Sequence, residues 1–120
     1  MTKVLVVEDT PLNMELIIEI LNGKGFIVDS AEDGEKALKM IEKLVYDLVL
    51  MDIELPGIDG IEVTRIIKSK PAYKNVPVIA LTAYAMKGDR ERLINKGFDE
   101  YISKPIDVPQ FMEIIGKYKK

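Results

Sequence analysis

The chain contains no cysteine and no histidine. Those two absences together remove disulfides, thiol chemistry, zinc sites and imidazole acid–base catalysis, leaving carboxylates, hydroxyls and lysines to carry any chemistry. Long apolar runs are missing too: none approaches the ~20 residues of a bilayer span. A signal peptide is not expected either, because the apolar start from Val4 to Val7 gives way at once to Glu8-Asp9. A cytoplasmic protein without a membrane partner is therefore expected. A formal net charge of −3 provides no electrostatic footprint for nucleic acid. The one basic cluster, Lys117 to Lys120, reads as a solvated tail at a helix end, where cations suit the helix dipole.

What is present is the composition of an ordinary globular protein, 48% hydrophobic and 31% charged. Its 120 residues make one domain, 1–120, long enough to bury a real core with nothing spare for a second unit. Val4-Leu5-Val6-Val7, Leu48-Val49-Leu50-Met51 and Val78-Ile79-Ala80-Leu81 are continuous apolar runs, the pattern of strands covered on both faces. Two weaker strands are expected at Ile27 to Ala31 and at Tyr101-Ile102. Helices alternate with these five strands. The first opens on Thr10-Pro11, a cap followed by proline, and stops at Gly23 and Gly25. The second follows Asp33-Gly34, with Ala37, Leu38, Ile41 and Leu44 as its buried stripe. The third opens on a capping box, Asp59 with Glu62, buries Val63, Ile66 and Ile67, and is ended by Pro71. The fourth is polar, from about residue 87 to 96, held mainly by Leu93 and Ile94 and stopped by Gly97. The last opens on Asp107 with Gln110 and buries Phe111, Ile114, Ile115 and Tyr118.

Strict strand–helix alternation predicts an α/β fold, a parallel sheet with helices on both faces. Placing the three apolar strands centrally and the weaker two at the edges gives the order 2-1-3-4-5. In such sheets ligands bind beyond the carboxyl ends of the strands, at the switch point between the first and third. Glu8, Asp9, Asp52, Thr82 and Lys104 each follow or end a strand, so they should converge there. Three carboxylates at one edge repel, each pair by on the order of 4 kcal/mol at ~4 Å and an effective dielectric of ~20. A hard divalent cation relieves this, and with no histidine or cysteine magnesium leads the candidates. A metal beside a carboxylate, a hydroxyl and a lysine suits phosphoryl transfer, with Asp52 as nucleophile, Asp9 and Glu8 at the metal, and Thr82 and Lys104 at the phosphoryl oxygens. Singly each residue is an unremarkable surface group. Their joint placement at strand ends is what carries the reading.

With these residues in place, the chain resembles the receiver domain of two-component response regulators over essentially its whole length. The resemblance rests on Glu8-Asp9 after the first strand, Asp52 after the third, Pro56 and Gly60 in the next loop, Thr82-Ala83 after the fourth, and Lys104-Pro105 after the fifth. It implies a flavodoxin-like (βα)5 three-layer sandwich and a regulator that is not a conventional enzyme but catalyses only its own phosphorylation and dephosphorylation. It implies phosphorylation of Asp52 by a sensor histidine kinase or histidine phosphotransfer protein. Magnesium would be bound by Asp9, Asp52 and the backbone carbonyl of Glu54, with Glu8 acting through water. Thr82 and Tyr101 would form the switch, and a cis peptide would precede Pro105. Two stretches, from Thr82 to Asp89 and from Tyr101 to Ile106, are similar to single-domain cell-cycle regulators of the family and to receiver domains of hybrid kinases. A protein effector would be engaged through the 87–118 face. Leu55 stands where many members carry methionine, and Glu54 is acidic where many are not.

The rival readings come from other classes. Asp52-Ile53-Glu54 weakly echoes the Asp-x-Asp motif of phosphatases of the haloacid dehalogenase superfamily, but their metal acids come late in the chain and a cap usually closes the site. A flavin-binding module on the same fold would want a Ser/Thr/Gly-rich loop after the first strand, where Glu8-Asp9-Thr10-Pro11 would repel phosphate. A degenerate adaptor usually lacks one of the acids or the lysine, and all are present here.

Overall fold

The three apolar runs form the middle of a five-stranded, wholly parallel sheet in the computed structural model, which describes residues 1–83 and 89–119, the backbone alone at 89 and 90. The chain runs β1 (Lys3–Val7), α1 (Pro11–Gly23), β2 (Ile27–Ala31), α2 (Gly34–Lys43), β3 (Leu48–Asp52), α3 (Gly60–Lys68), a 3-10 turn (Pro71–Tyr73), β4 (Val78–Thr82), α4 (Asp89–Asn95), β5 (Glu100–Ser103) and α5 (Val108–Gly116). The strand order is β2-β1-β3-β4-β5, as the apolar patterning predicts.

Period-two alternation divides the core between two faces of the sheet. Val4 and Val6 of β1, Leu48 and Leu50 of β3, and Ile79 and Leu81 of β4 pack with Ile17 and Leu21 of α1 and with Phe111 and Ile115 of α5. Leu5, Val7, Val49, Met51, Val78 and Ala80 face the other way, against Ala37 and Ile41 of α2, Val63 and Ile67 of α3, and Leu93 of α4. Each large apolar side chain so buried contributes about 1.5–3 kcal/mol. Rigid strands buried on both sides hold their carboxyl ends in fixed register, with Val7 beside Met51, Asp52 beside Leu81 and Thr82 beside Ser103.

Helix starts follow the expected caps, with one exception. Asp33, Asp59 and Asp107 accept the backbone N–H groups of Lys36, Glu62 and Gln110. Thr10 occupies the cap position of α1 without a side-chain cap bond, and its own N–H donates to Glu8 Oε2 at 3.1 Å. Helix ends correct two assignments of core residues. Leu44 lies beyond Lys43 in extended backbone and is exposed, so it is not part of the stripe of α2. Ile94 is exposed as well, because on a helix this short it cannot face the sheet together with its neighbour Leu93. Tyr118, beyond the end of α5, does pack half-buried against the core, and it donates its hydroxyl to Glu100 Oε2 at 2.9 Å. Of the helix expected over 87–96, residues 89–95 are helical, Lys96 lies in the following turn, and 87 and 88 fall outside the described residues.

A buried pair of tyrosines closes the α2–β3 connection. The Tyr73 hydroxyl donates to Leu44 O at 2.6 Å and accepts the Tyr46 N–H at 3.1 Å, while the Tyr46 hydroxyl donates to Asp29 Oδ2 at 2.7 Å. Burial and the Asp29 carboxylate raise the pKa of Tyr46 well above that of an ordinary phenol.

Candidate functional site

β1 and β3 are neighbours whose following connections leave on opposite faces of the sheet, so their carboxyl ends border an open crevice. Glu8 follows β1 and stays in the sheet edge through its N–H, which donates to Ala31 O at 3.1 Å. Asp52 ends β3, and the next N–H, from Ile53, is held by Leu81 O at 3.1 Å. Thr82 ends β4 and is buried, and its carbonyl accepts the Lys104 N–H at 2.8 Å. That bond brings Lys104, just past β5, over the crevice. The Lys104–Pro105 peptide is cis, as the resemblance implies.

Lys104 bridges two buried acids, with Nζ 2.8 Å from Glu8 Oε1 and 2.9 Å from Asp52 Oδ2. The remaining oxygens meet backbone donors, Thr10 N–H at Glu8 Oε2 and Glu54 N–H at Asp52 Oδ1, the latter at 2.9 Å. Burial drives the Glu8 carboxyl up to about 7, reinforced by the hydrogen bond it shares with Asp52 and opposed by Lys104 and the Thr10 N–H. Burial alone would also raise Asp52. The hydrogen bond from Glu8, Lys104 and the Glu54 N–H outweigh it and hold Asp52 below the ordinary carboxylate value. Lys104 is raised in turn, because the two carboxylates outweigh its own burial. Without a metal, the crevice therefore holds a proton more readily on Glu8 than on Asp52.

Glu8, Asp9 and Asp52 each offer a carboxylate oxygen, and these oxygens all lie within 4.8 Å of one another. Glu8 and Asp52 are buried, whereas Asp9 is exposed on the open side. A set of hard oxygen donors with excess negative charge and one solvent-facing member fits a magnesium ion that keeps several waters. Five expected residues, Glu8, Asp9, Asp52, Thr82 and Lys104, thus meet at one sheet edge. Tyr101 lies further back on β5, beside Ala80, half-buried against the face that carries α2, α3 and α4.

Two features of the site had no counterpart in the sequence reading. The Glu54 side chain accepts the Ala83 N–H at 2.9 Å through Oε1. Gly60 is packed so tightly on the turn after β3 that a β-carbon there would meet backbone.

A sequence model of the response regulator receiver domain matches residues 4–116. The chain belongs to the response-regulator receiver family. It is 45% identical to the polar-differentiation response regulator DivK of Brucella ovis over 119 residues, covering 98% of this chain and 97% of that one. DivK of Brucella anthropi is 44% identical over 115 residues, 96% of this chain and 94% of the relative. Among solved structures, the receiver domain of a Pseudomonas aeruginosa sensor histidine kinase superposes with a TM-score of 0.88 at 37% identity, covering 98% and 96% of the two chains. That structure has magnesium coordinated in its active-site cleft. A chemotaxis response regulator of Vibrio cholerae reaches a TM-score of 0.93 at 24% identity, covering 99% of each chain, and speaks for the flavodoxin-like fold alone. Family membership leaves the phosphatase alternative without support. As a receiver, the chain is a signalling protein of the two-component type, and receivers bind magnesium at this acidic pocket. Among the described residues, no helix is long and apolar enough to cross a membrane.

Proposed function

We propose that residues 1–120 act as one receiver that takes a phosphoryl group on Asp52 and passes the signal on by changing which protein it binds. The observation that carries this reading is the Asp52 carboxylate itself: buried, at the switch point, with Lys104 on one oxygen and the Glu54 N–H on the other. In the transfer, a carboxylate oxygen of Asp52 attacks phosphorus in line. The bond to the donor imidazole nitrogen breaks, that nitrogen keeps the electron pair, and an acyl phosphate forms on Asp52. The donor is a sensor histidine kinase or a histidine phosphotransfer protein. Lys104 and the hydroxyl of Thr82, both from neighbouring strand ends, would meet the phosphoryl oxygens, and burial strengthens such contacts. Asp9, Asp52 and the Glu54 carbonyl would hold magnesium, with Glu8 acting through water. When bound, the ion neutralises charge that develops on the phosphoryl oxygens.

In this reading Thr82 and Tyr101 relay the change, the hydroxyl moving toward the phosphoryl group and the ring turning further in. Output leaves through the 87–118 face, of which 87 and 88 lie outside the described residues. Exposed Ile94 and Val108 on that face suit a protein effector in the cytoplasm. The chemistry is confined to the chain's own phosphorylation and dephosphorylation. Mixing the chain with magnesium and a radiolabelled phosphohistidine-bearing protein tests the proposal. Label should move to the chain and chelation should stop it, whereas an unlabelled chain would contradict the reading.

A further inference from the structure

Glu54 spans the gap between the turn after β3 and the end of β4. Its Oε1 holds the Ala83 N–H at 2.9 Å, and Ala83 directly follows Thr82. Its second oxygen, Oε2, is buried without a hydrogen-bond partner among the described residues. A charged group with an unsatisfied buried oxygen is a costly tie between two loops. Its backbone meanwhile serves Asp52, because the Glu54 N–H donates to Asp52 Oδ1. The side chain is therefore anchored two residues from the proposed phosphoryl acceptor while it holds a backbone donor beside the proposed phosphoryl-contacting hydroxyl.

A phosphoryl group on Asp52 would bring about −1.5 to −2 charge and three strong acceptor oxygens into this space. It would repel the Glu54 carboxylate and compete for the same N–H. We propose that Glu54 is a resting-state latch: its carboxylate occupies the Ala83 N–H until phosphorylation of Asp52 expels it, which frees that donor and uncouples residue 83 from the turn after β3. The inference rests on Asp52 being the acceptor. Glu54 acts here as a positioning residue, setting how readily the phosphorylated arrangement forms and touching no reacting atom with its side chain.

The test is binding of beryllium fluoride, a phosphoryl mimic, in the presence of magnesium, with the amide resonance of Ala83 followed by NMR. Glu54→Ala should bind the mimic about tenfold more tightly than wild type, since no anion has to be displaced. Before any mimic is added, its Ala83 resonance should already have moved toward the position seen in mimic-bound wild type. Glu54→Gln keeps an acceptor oxygen but no charge. It should leave the resting Ala83 resonance nearly in place and still bind more tightly, and it carries the test alone if the alanine variant does not fold. A simple loop tie predicts reduced thermal stability and unchanged mimic affinity in both variants, and that outcome overturns the latch. If wild type neither binds the mimic nor takes a phosphoryl group, the reading of Asp52 fails and the latch fails with it. A phosphorylated wild type with variants of unaltered affinity removes the latch alone.

Discussion

A β-carbon placed on Gly60 would lie 2.1 Å from the carbonyl oxygen of Asp52 and 2.7 Å from the α-carbon of Ile53. Both are backbone atoms of the segment that presents the acid, so neither can swing aside as a side-chain tip would. The first turn of α3 thus sits directly on the strand end, with the Gly60 N–H donating to Ile53 O. Gly60→Ala should destabilise the protein by about 2–4 kcal/mol and depress phosphorylation of the fraction that folds, because relief of the clash displaces Asp52. Urea unfolding reads the first effect; a wild-type midpoint would show that the turn yields freely.

Lys104 competes with any metal for the carboxylates it bridges. In Lys104→Met the two buried acids lose their cation, so magnesium should bind at least as tightly as to wild type. Phosphorylation should nevertheless slow by about tenfold or more, since the charge proposed to meet the phosphoryl oxygens is gone. Calorimetric titration together with labelling rates separates the two effects. Loss of magnesium affinity in the variant would mean that Lys104 organises the acids rather than opposing the metal.

Glu8 makes stability depend on pH. Its carboxyl is raised from 4.5 in the unfolded reference to about 7 in the fold, so between those values the folded chain holds more protons than the unfolded one. The unfolding free energy must then fall as pH rises through that window. Asp52 is depressed, and its contribution is lost only toward acid pH, below its ordinary value. In metal-free buffer wild type should lose about 3 kcal/mol between about pH 4.5 and about pH 7.5, a loss that Glu8→Gln should largely abolish. Denaturation curves at several pH values check this, and parallel pH profiles for the two proteins would contradict it.

Away from the site, Tyr73→Phe removes the partner of two backbone groups, the buried Tyr46 N–H and the part-buried Leu44 carbonyl. The expected cost is about 2–4 kcal/mol, with phosphorylation of the folded protein unchanged. Tyr46→Phe should also destabilise, because Asp29 Oδ2 loses its hydroxyl donor. Chemical denaturation of both variants gives the comparison, and a neutral Tyr73→Phe would show that water replaces the hydroxyl.

The strands were legible because continuous apolar runs leave few alternatives in a chain of strict alternation, and the strand order follows from which runs are wholly apolar. Asp52 and Glu8-Asp9 were legible as charges at the ends of those runs, and Lys104 as a charge just past the weaker fifth strand. Leu44 and Ile94 were misplaced for a physical reason: helical spacing continues past the last helical residue in the first case, and in the second it does not say which of two adjacent apolar residues meets the sheet. The Glu54 contact is of another kind. Its partner is a backbone N–H, which carries no residue-specific signal, and the two meet only once β3 and β4 are paired. The Tyr46–Tyr73 contact likewise exists only after tertiary assembly. The tightness at Gly60 was visible only as a glycine in a loop.

The central claim is that Asp52 accepts the phosphoryl group, and intact-mass measurement after incubation with magnesium and acetyl phosphate tests it most directly. Wild type should gain the mass of one phosphoryl group and Asp52→Asn should gain none. An unmodified wild type, or an Asp52→Asn variant modified to the same extent, would contradict the account.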